Sequence, residues 1–178
     1  MKSKIISTVR LLGLGHENKK INTIMSKKAI ILIAFVLGSF AVQAQELKWE
    51  TDVNKAISVS NKTKKPMLLF FTGSDWCGWC IRLQNEVLKT PEFAAWAKKN
   101  VVLVELDYPR RTPQSDAIKA QNNGMQQAFG IQGFPTIYFA TAKIKDGKPS
   151  FTGIGNTGYV AGGPTAWLAV ADGILKTK

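Results

Sequence analysis

Histidine is all but absent from this chain of 178 residues, which has one, His16. Cysteine is nearly as scarce: Cys77 and Cys80 are the only two. His16 lies ahead of a stretch that reads as an export signal, so the exported chain is expected to contain no histidine. That excludes Ser-His-Asp and Cys-His catalysis, histidine general bases and histidine-ligated metals. Two cysteines alone also fall short of the four ligands that tetrahedral zinc takes, and no metal site is expected. Haem attachment needs histidine directly after the second cysteine, where Ile81 stands. Long apolar runs are missing too. The best, Ala29 to Val42, has 14 residues, fewer than the roughly 18–20 that a spanning helix needs.

That run has the marks of a signal peptide. Lys27 and Lys28 give a basic start, and Val42-Gln43-Ala44 gives the small-x-small cleavage pattern, with Gln45 first in the mature chain. An uncleaved membrane anchor is the alternative. Residues 1–24 fit no targeting pattern, and Met25 opens a normal signal. Translation is therefore expected to begin at Met25, leaving 1–24 as an artefactual or disordered extension. Residues 25–44 would be the signal and 45–178 one domain, of ordinary size. The chain would contact the membrane only transiently, through its signal, and end in the periplasm of a Gram-negative cell or be secreted otherwise.

The formal charge of +12 suggests a nucleic-acid or membrane partner. Residues 45–178, however, hold 17 Lys and Arg against 11 Asp and Glu. These are scattered, with no interleaved aromatics, and "RR" at 110–111 reads as part of a solvated face. No nucleic-acid partner is expected.

Along the domain, Asp52 caps a helix through Val59 that "NKTKK" breaks. "PMLLFFT" (66–72) and "VVLVELD" (101–107) have the continuous apolar character of strands buried on both faces. A helix starts at Cys77, and Thr90-Pro91 opens another over 92–99. A polar loop, "YPRRTPQSD", leads to a helix ending near Phe129. "GFPTIYFA" holds a third strand and "PSFTGIG" a fourth, followed by a Gly-rich loop over 155–163 and a helix from Pro164 to about Lys176. Alternating strands and helices predict an α/β unit with its first two strands parallel and a late antiparallel hairpin.

The chemistry concentrates in "FFTGSDWCGWC", Phe70 to Cys80. A permanently closed staple is a poor use of this pair, because closing two intervening residues removes little entropy from the unfolded chain. Reversible thiol–disulfide exchange remains. Cys77 sits where a turn meets a helix, and the unpaired N–H groups and dipole there favour a thiolate. Cys77 is expected to be the exposed nucleophile and Cys80 the buried resolver, one turn inside the helix.

"PMLLFFTGSDWCGWC", then "VVLVELD", then "GIQGFPTIYF" resembles the thioredoxin family over most of residues 48–178. The WCxxC after an apolar strand, paired with the later Gly-aromatic-Pro-Thr segment, is specific where an isolated CxxC is weak. The narrower likeness is to exported thioredoxin-like proteins and the soluble thiol domains of transmembrane reductases. The resemblance implies a three-layer α/β fold, a mixed central sheet of about four to five strands flanked by helices. It implies a cis Pro135 facing the dithiol, with the Phe134 backbone offered to an extended substrate. Trp76, Gly78 and Trp79 would line the same surface. No cofactor beyond a redox-active Cys77–Cys80 disulfide is implied. Thioredoxin has a buried aspartate six residues before its first cysteine; Phe71 stands there instead, and Glu105 is expected to take over as proton relay.

The Gly78-Trp79 gap brings no charge to the thiolate, which favours a reductant or isomerase over a strong oxidant. The expected partners are protein thiols and disulfides, with a transmembrane thiol reductase as electron donor. The alternative is a peptide-binding or assembly module with little redox turnover.

Overall fold

The computed structural model describes residues 47–177. The expected signal peptide, its cleavage point and the start at Met25 lie outside them. Strand β2 (Met67–Thr72) is the middle of a five-stranded sheet, and all six of its residues are buried. On one side it pairs in parallel with β3 (Val102–Asp107), which pairs in parallel with the short β1 (Trp49–Glu50). On the other side it runs antiparallel to β4 (Thr136–Lys145), and β4 runs antiparallel to the edge strand β5 (Lys148–Thr157). The strand order is β1-β3-β2-β4-β5.

Period-two alternation divides β2 and β3 between two cores. Leu68, Phe70 and Leu103 pack with Cys77, Cys80, Leu83, Phe93, Ile137 and Trp167. Those residues bring in α2 (Gly78–Leu83), α3 (Pro91–Asn100) and α5 (Gly163–Lys176). Met67, Leu69, Phe71, Val104 and Leu106 face the other way, onto Val53 and Ile57 of α1 (Val53–Thr63) and Met125 of α4 (Asp116–Ala128). Helices on both sides of the sheet explain why β2 and β3 read as unbroken apolar runs. The architecture is the three-layer α/β arrangement expected, at five strands.

Local chemistry sets the helix starts. The Asp52 carboxylate accepts from the N–H groups of Asn54 and Lys55, and Thr90 Oγ1 accepts from Phe93 N–H ahead of Pro91. Aromatic packing then fixes α5: the fully buried Trp167 meets Phe93 and Trp96 edge-on. Its indole N–H donates to the Gly158 carbonyl at 3.0 Å, tying the loop before α5 to the core.

Four expectations change. Helix α1 runs on through Asn61 and Lys62 to Thr63 and ends at Lys64, in the left-handed region. The polar run does not break it, because these positions face solvent. A π-helical turn, Gln84–Leu88, follows α2 directly. Strand β1 was not visible in the sequence. Strand β5 runs on past Gly155 to Thr157 before the loop begins: a Cβ at Gly155 would fall 2.8 Å from Ile174 Cγ2, so glycine lets α5 approach the strand.

Candidate active site

The site is built where β2 ends and the chain folds back through Gly73–Trp76 into α2. The Gly73 carbonyl accepts from the N–H groups of Trp76 and Cys77, closing a tight turn. Cys77 is the N-cap of α2, with extended backbone. Cys77 and Cys80 form a disulfide of S–S 2.10 Å with Cα atoms 5.2 Å apart. The Cys80 N–H is shared between the Cys77 carbonyl at 3.0 Å and Cys77 Sγ at 3.2 Å, so a backbone donor of the helix start points at this sulfur. Cys80 is fully buried, but Cys77 is only 7% exposed, against the expectation of an open nucleophile.

The two tryptophans differ sharply. Trp79 stands 56% exposed, with its ring against Tyr159 at 5.2 Å. The Arg82 guanidinium lies over both rings, and Glu86 accepts from Arg82 and from the Tyr159 hydroxyl. Those bonds, Tyr159's first, hold the Glu86 carboxyl below its ordinary range. Trp76 instead folds onto the protein. Its indole N–H donates to the Tyr108 carbonyl at 2.8 Å, and its ring meets Phe134 edge-on.

Phe134 also packs on Tyr108, at 5.0 Å, and the bond it forms with Pro135 is cis. Trp76 therefore brings the Phe134–Pro135 turn beside the dithiol turn. Gly78 is exposed at the mouth of the site. Trp76 and Phe134 thus pack together against the core cluster that holds Cys77, with Gly78 and Trp79 exposed directly after it.

Glu105 is more distant. It sits beside Phe70 in the β2–β3 register, on the sheet face that carries the dithiol helix. Burial, with the charge of Asp107 second, raises its pKa. No hydrogen bond joins it to either cysteine among the described residues. Next to it on the same face Thr72 is fully buried, and its hydroxyl has no partner among the described residues.

Sequence reading missed the connection after β3. Asp107 accepts from the Ser74 N–H and hydroxyl, at 2.8 and 2.6 Å. The Asp75 carboxylate accepts three backbone N–H groups, from Arg110 (3.0 Å), Arg111 (2.8 Å) and Thr112 (2.9 Å). These bonds, Arg110's foremost, hold the Asp75 carboxyl down at about 2. The Arg110 guanidinium lies 3.8 Å from the centre of the Trp76 ring. "RR" is exposed, as expected, and is in addition held against the site wall. Its partners lie more than 30 residues away, where no local pattern reaches. Tyr159 offered the fainter clue of an aromatic in a Gly-rich loop.

A disulfide at the start of a helix, behind the central strand of a mixed sheet and beside a cis-proline turn, defines a thioredoxin-fold redox site. The chain belongs to the thioredoxin-like family: the family model described as "Thioredoxin-like" matches residues 48–142. It is 31% identical over 137 residues to the disulfide bond reductase DsbH of Chlamydia pneumoniae, covering 77% of this chain and 78% of that protein. The thioredoxin-related protein DsbJ of the same organism is 33% identical over 94 residues, covering 53% of this chain and 27% of that one. A solved structure of a DsbH oxidoreductase superposes with a TM-score of 0.67 at 30% identity, over 78% of this chain and 90% of the other. A thioredoxin from Thermus thermophilus, at 16% identity and a TM-score of 0.52 over 72% of this chain and 87% of its own, shares the fold.

Proposed function

We propose that this protein is an exported thiol–disulfide oxidoreductase that reduces or isomerises protein disulfides. The observation that carries the reading is Cys77, capping α2 with its sulfur facing the Cys80 N–H, beside the Phe134–Pro135 turn. That environment favours a thiolate and leaves backbone free for an extended peptide. The similarity to a protein named disulfide bond reductase supports the reducing direction.

In the reduced protein the Cys77 thiolate attacks one sulfur of a substrate disulfide. A Cys77–substrate S–S bond forms, the substrate's own S–S bond breaks, and the released thiolate takes a proton from water. Cys80 then loses its proton and its thiolate attacks Cys77 Sγ. The Cys77–Cys80 disulfide closes, and the second substrate thiol departs. Two electrons have passed to the substrate. Where a substrate thiol attacks the mixed disulfide first, the outcome is isomerisation. Glu105, on the dithiol face and raised in pKa, is the proposed acceptor of the Cys80 proton. Because the exported compartment is oxidising, the dithiol must be regenerated by electrons from across the membrane, for which a transmembrane thiol reductase is the proposed donor.

Insulin reduction with dithiothreitol as electron source tests the reading. Wild type should accelerate precipitation of the insulin B chain, and Cys77→Ser should not. Equal rates for the two would favour a peptide-binding module on this fold.

A further inference from the structure

Along the turns that flank the dithiol, three carboxylates are already committed. Asp75 accepts three backbone N–H groups, Asp107 accepts twice from Ser74, and Glu86 accepts from Arg82 and Tyr159. Among the cations, Arg82 pairs with Glu86, and the Arg111 guanidinium donates to the Asp75 carbonyl. Arg110 differs. It is exposed, stacked on Trp76, and pairs with no carboxylate among the described residues. Stacking leaves the guanidinium edge, with its fork of N–H donors, free for a planar anion.

Its position is imposed from the active-site turn itself. Asp75, two residues before Cys77, holds the backbone of Arg110, Arg111 and Thr112, while Trp76 holds the carbonyl of Tyr108. Trp76 in turn meets Phe134, the residue before Pro135. Arg110, Trp76 and Phe134 therefore form one continuous wall leading to the turn where an extended substrate would lie.

We infer that Arg110 selects substrates with a carboxylate side chain within two residues of the attacked cysteine, and that Asp75 is the positioning residue that holds it there. The occupant of this surface is an extended, acidic, cysteine-bearing segment of another protein. The inference rests on the proposed disulfide exchange at Cys77 and adds to it a rule of substrate choice.

The test uses three disulfide peptides that are identical except for Glu, Gln or Lys beside the cysteine. kcat/KM is measured for each at low and high salt. Wild type should favour Glu over Gln by about two- to fivefold, the range of an exposed ion pair, and should place Lys last. The ranking should flatten as salt rises. Arg110→Glu, at an exposed position, should reverse it. Asp75→Ala should also weaken the preference for Glu. Loss of the Asp75 negative charge alone would strengthen that preference, so a fall reports lost position. An unranked wild type, a ranking unchanged in Arg110→Glu, or a stronger preference in Asp75→Ala would overturn the inference while leaving the reductase reading intact. No reduction of any peptide would overturn both.

Discussion

Gly73→Ala should damage this protein out of proportion to one added methyl group. A Cβ at Gly73 falls 2.4 Å from Trp76 Cε2 and 2.6 Å from Nε1, well inside contact distance. The ring cannot simply lean away, because the Tyr108 carbonyl, Phe134 and Arg110 hold it on its remaining sides. Overpacking of this kind costs roughly 1–3 kcal/mol, and losing the indole hydrogen bond costs roughly 0.5–1.5 kcal/mol more. The expected loss is therefore about 2–4 kcal/mol, a fall in Tm on the order of 10 °C for a domain of this size. Urea unfolding of the oxidised protein, followed by far-UV circular dichroism, measures it. A double-mutant cycle isolates the cause: in a Trp76→Ala background, Gly73→Ala should cost less than about 0.5 kcal/mol. The same cost in both backgrounds, or a neutral Gly73→Ala in wild type, would refute the packing argument.

Two further substitutions address the dithiol face of the sheet. Burial and Asp107 raise the Glu105 pKa, so its contribution to stability is full below the unfolded value of about 4.3 and is lost as pH rises through the folded value. Glu105→Gln should therefore gain stability over wild type between pH 4 and pH 8, read from urea midpoints, and should slow Cys80 resolution. A constant gap and an unchanged resolution rate would remove Glu105 from the mechanism. Thr72→Val replaces a fully buried hydroxyl, without a partner among the described residues, by a methyl of the same shape. It should stabilise the oxidised protein by about 1–2 kcal/mol with an unchanged m value; a loss of stability would contradict it.

What the sequence disclosed follows the range of its interactions. Asp52, Thr90 and Pro91 announce their helices because a cap acts within three residues. The apolar run Met67–Thr72 ahead of CGWC announces the central strand and the dithiol together, because burial on both faces leaves a local trace. Strand β1 left none, since two residues cannot show a period. The end of β5 misled for a different reason: glycines at 153, 155 and 158 read as the start of a loop until α5 is seen lying against Gly155. The wall of the site was the least legible part. Asp75 with Arg110, Trp76 with Tyr108, and Trp79 with Tyr159 are contacts between segments far apart in the chain. Even the cover over Cys77 is tertiary, which is why its 7% exposure ran against the open thiol that the helix start suggested.

The central claim is that Cys77 attacks and Cys80 resolves. Cys80→Ser in the full chain, produced in cells that export it, should accumulate mixed disulfides with other proteins, visible on non-reducing gels and released by dithiothreitol. Cys77→Ser should accumulate none, because its remaining sulfur is fully buried. Adducts of equal yield from the two variants, or none from Cys80→Ser, would contradict the account.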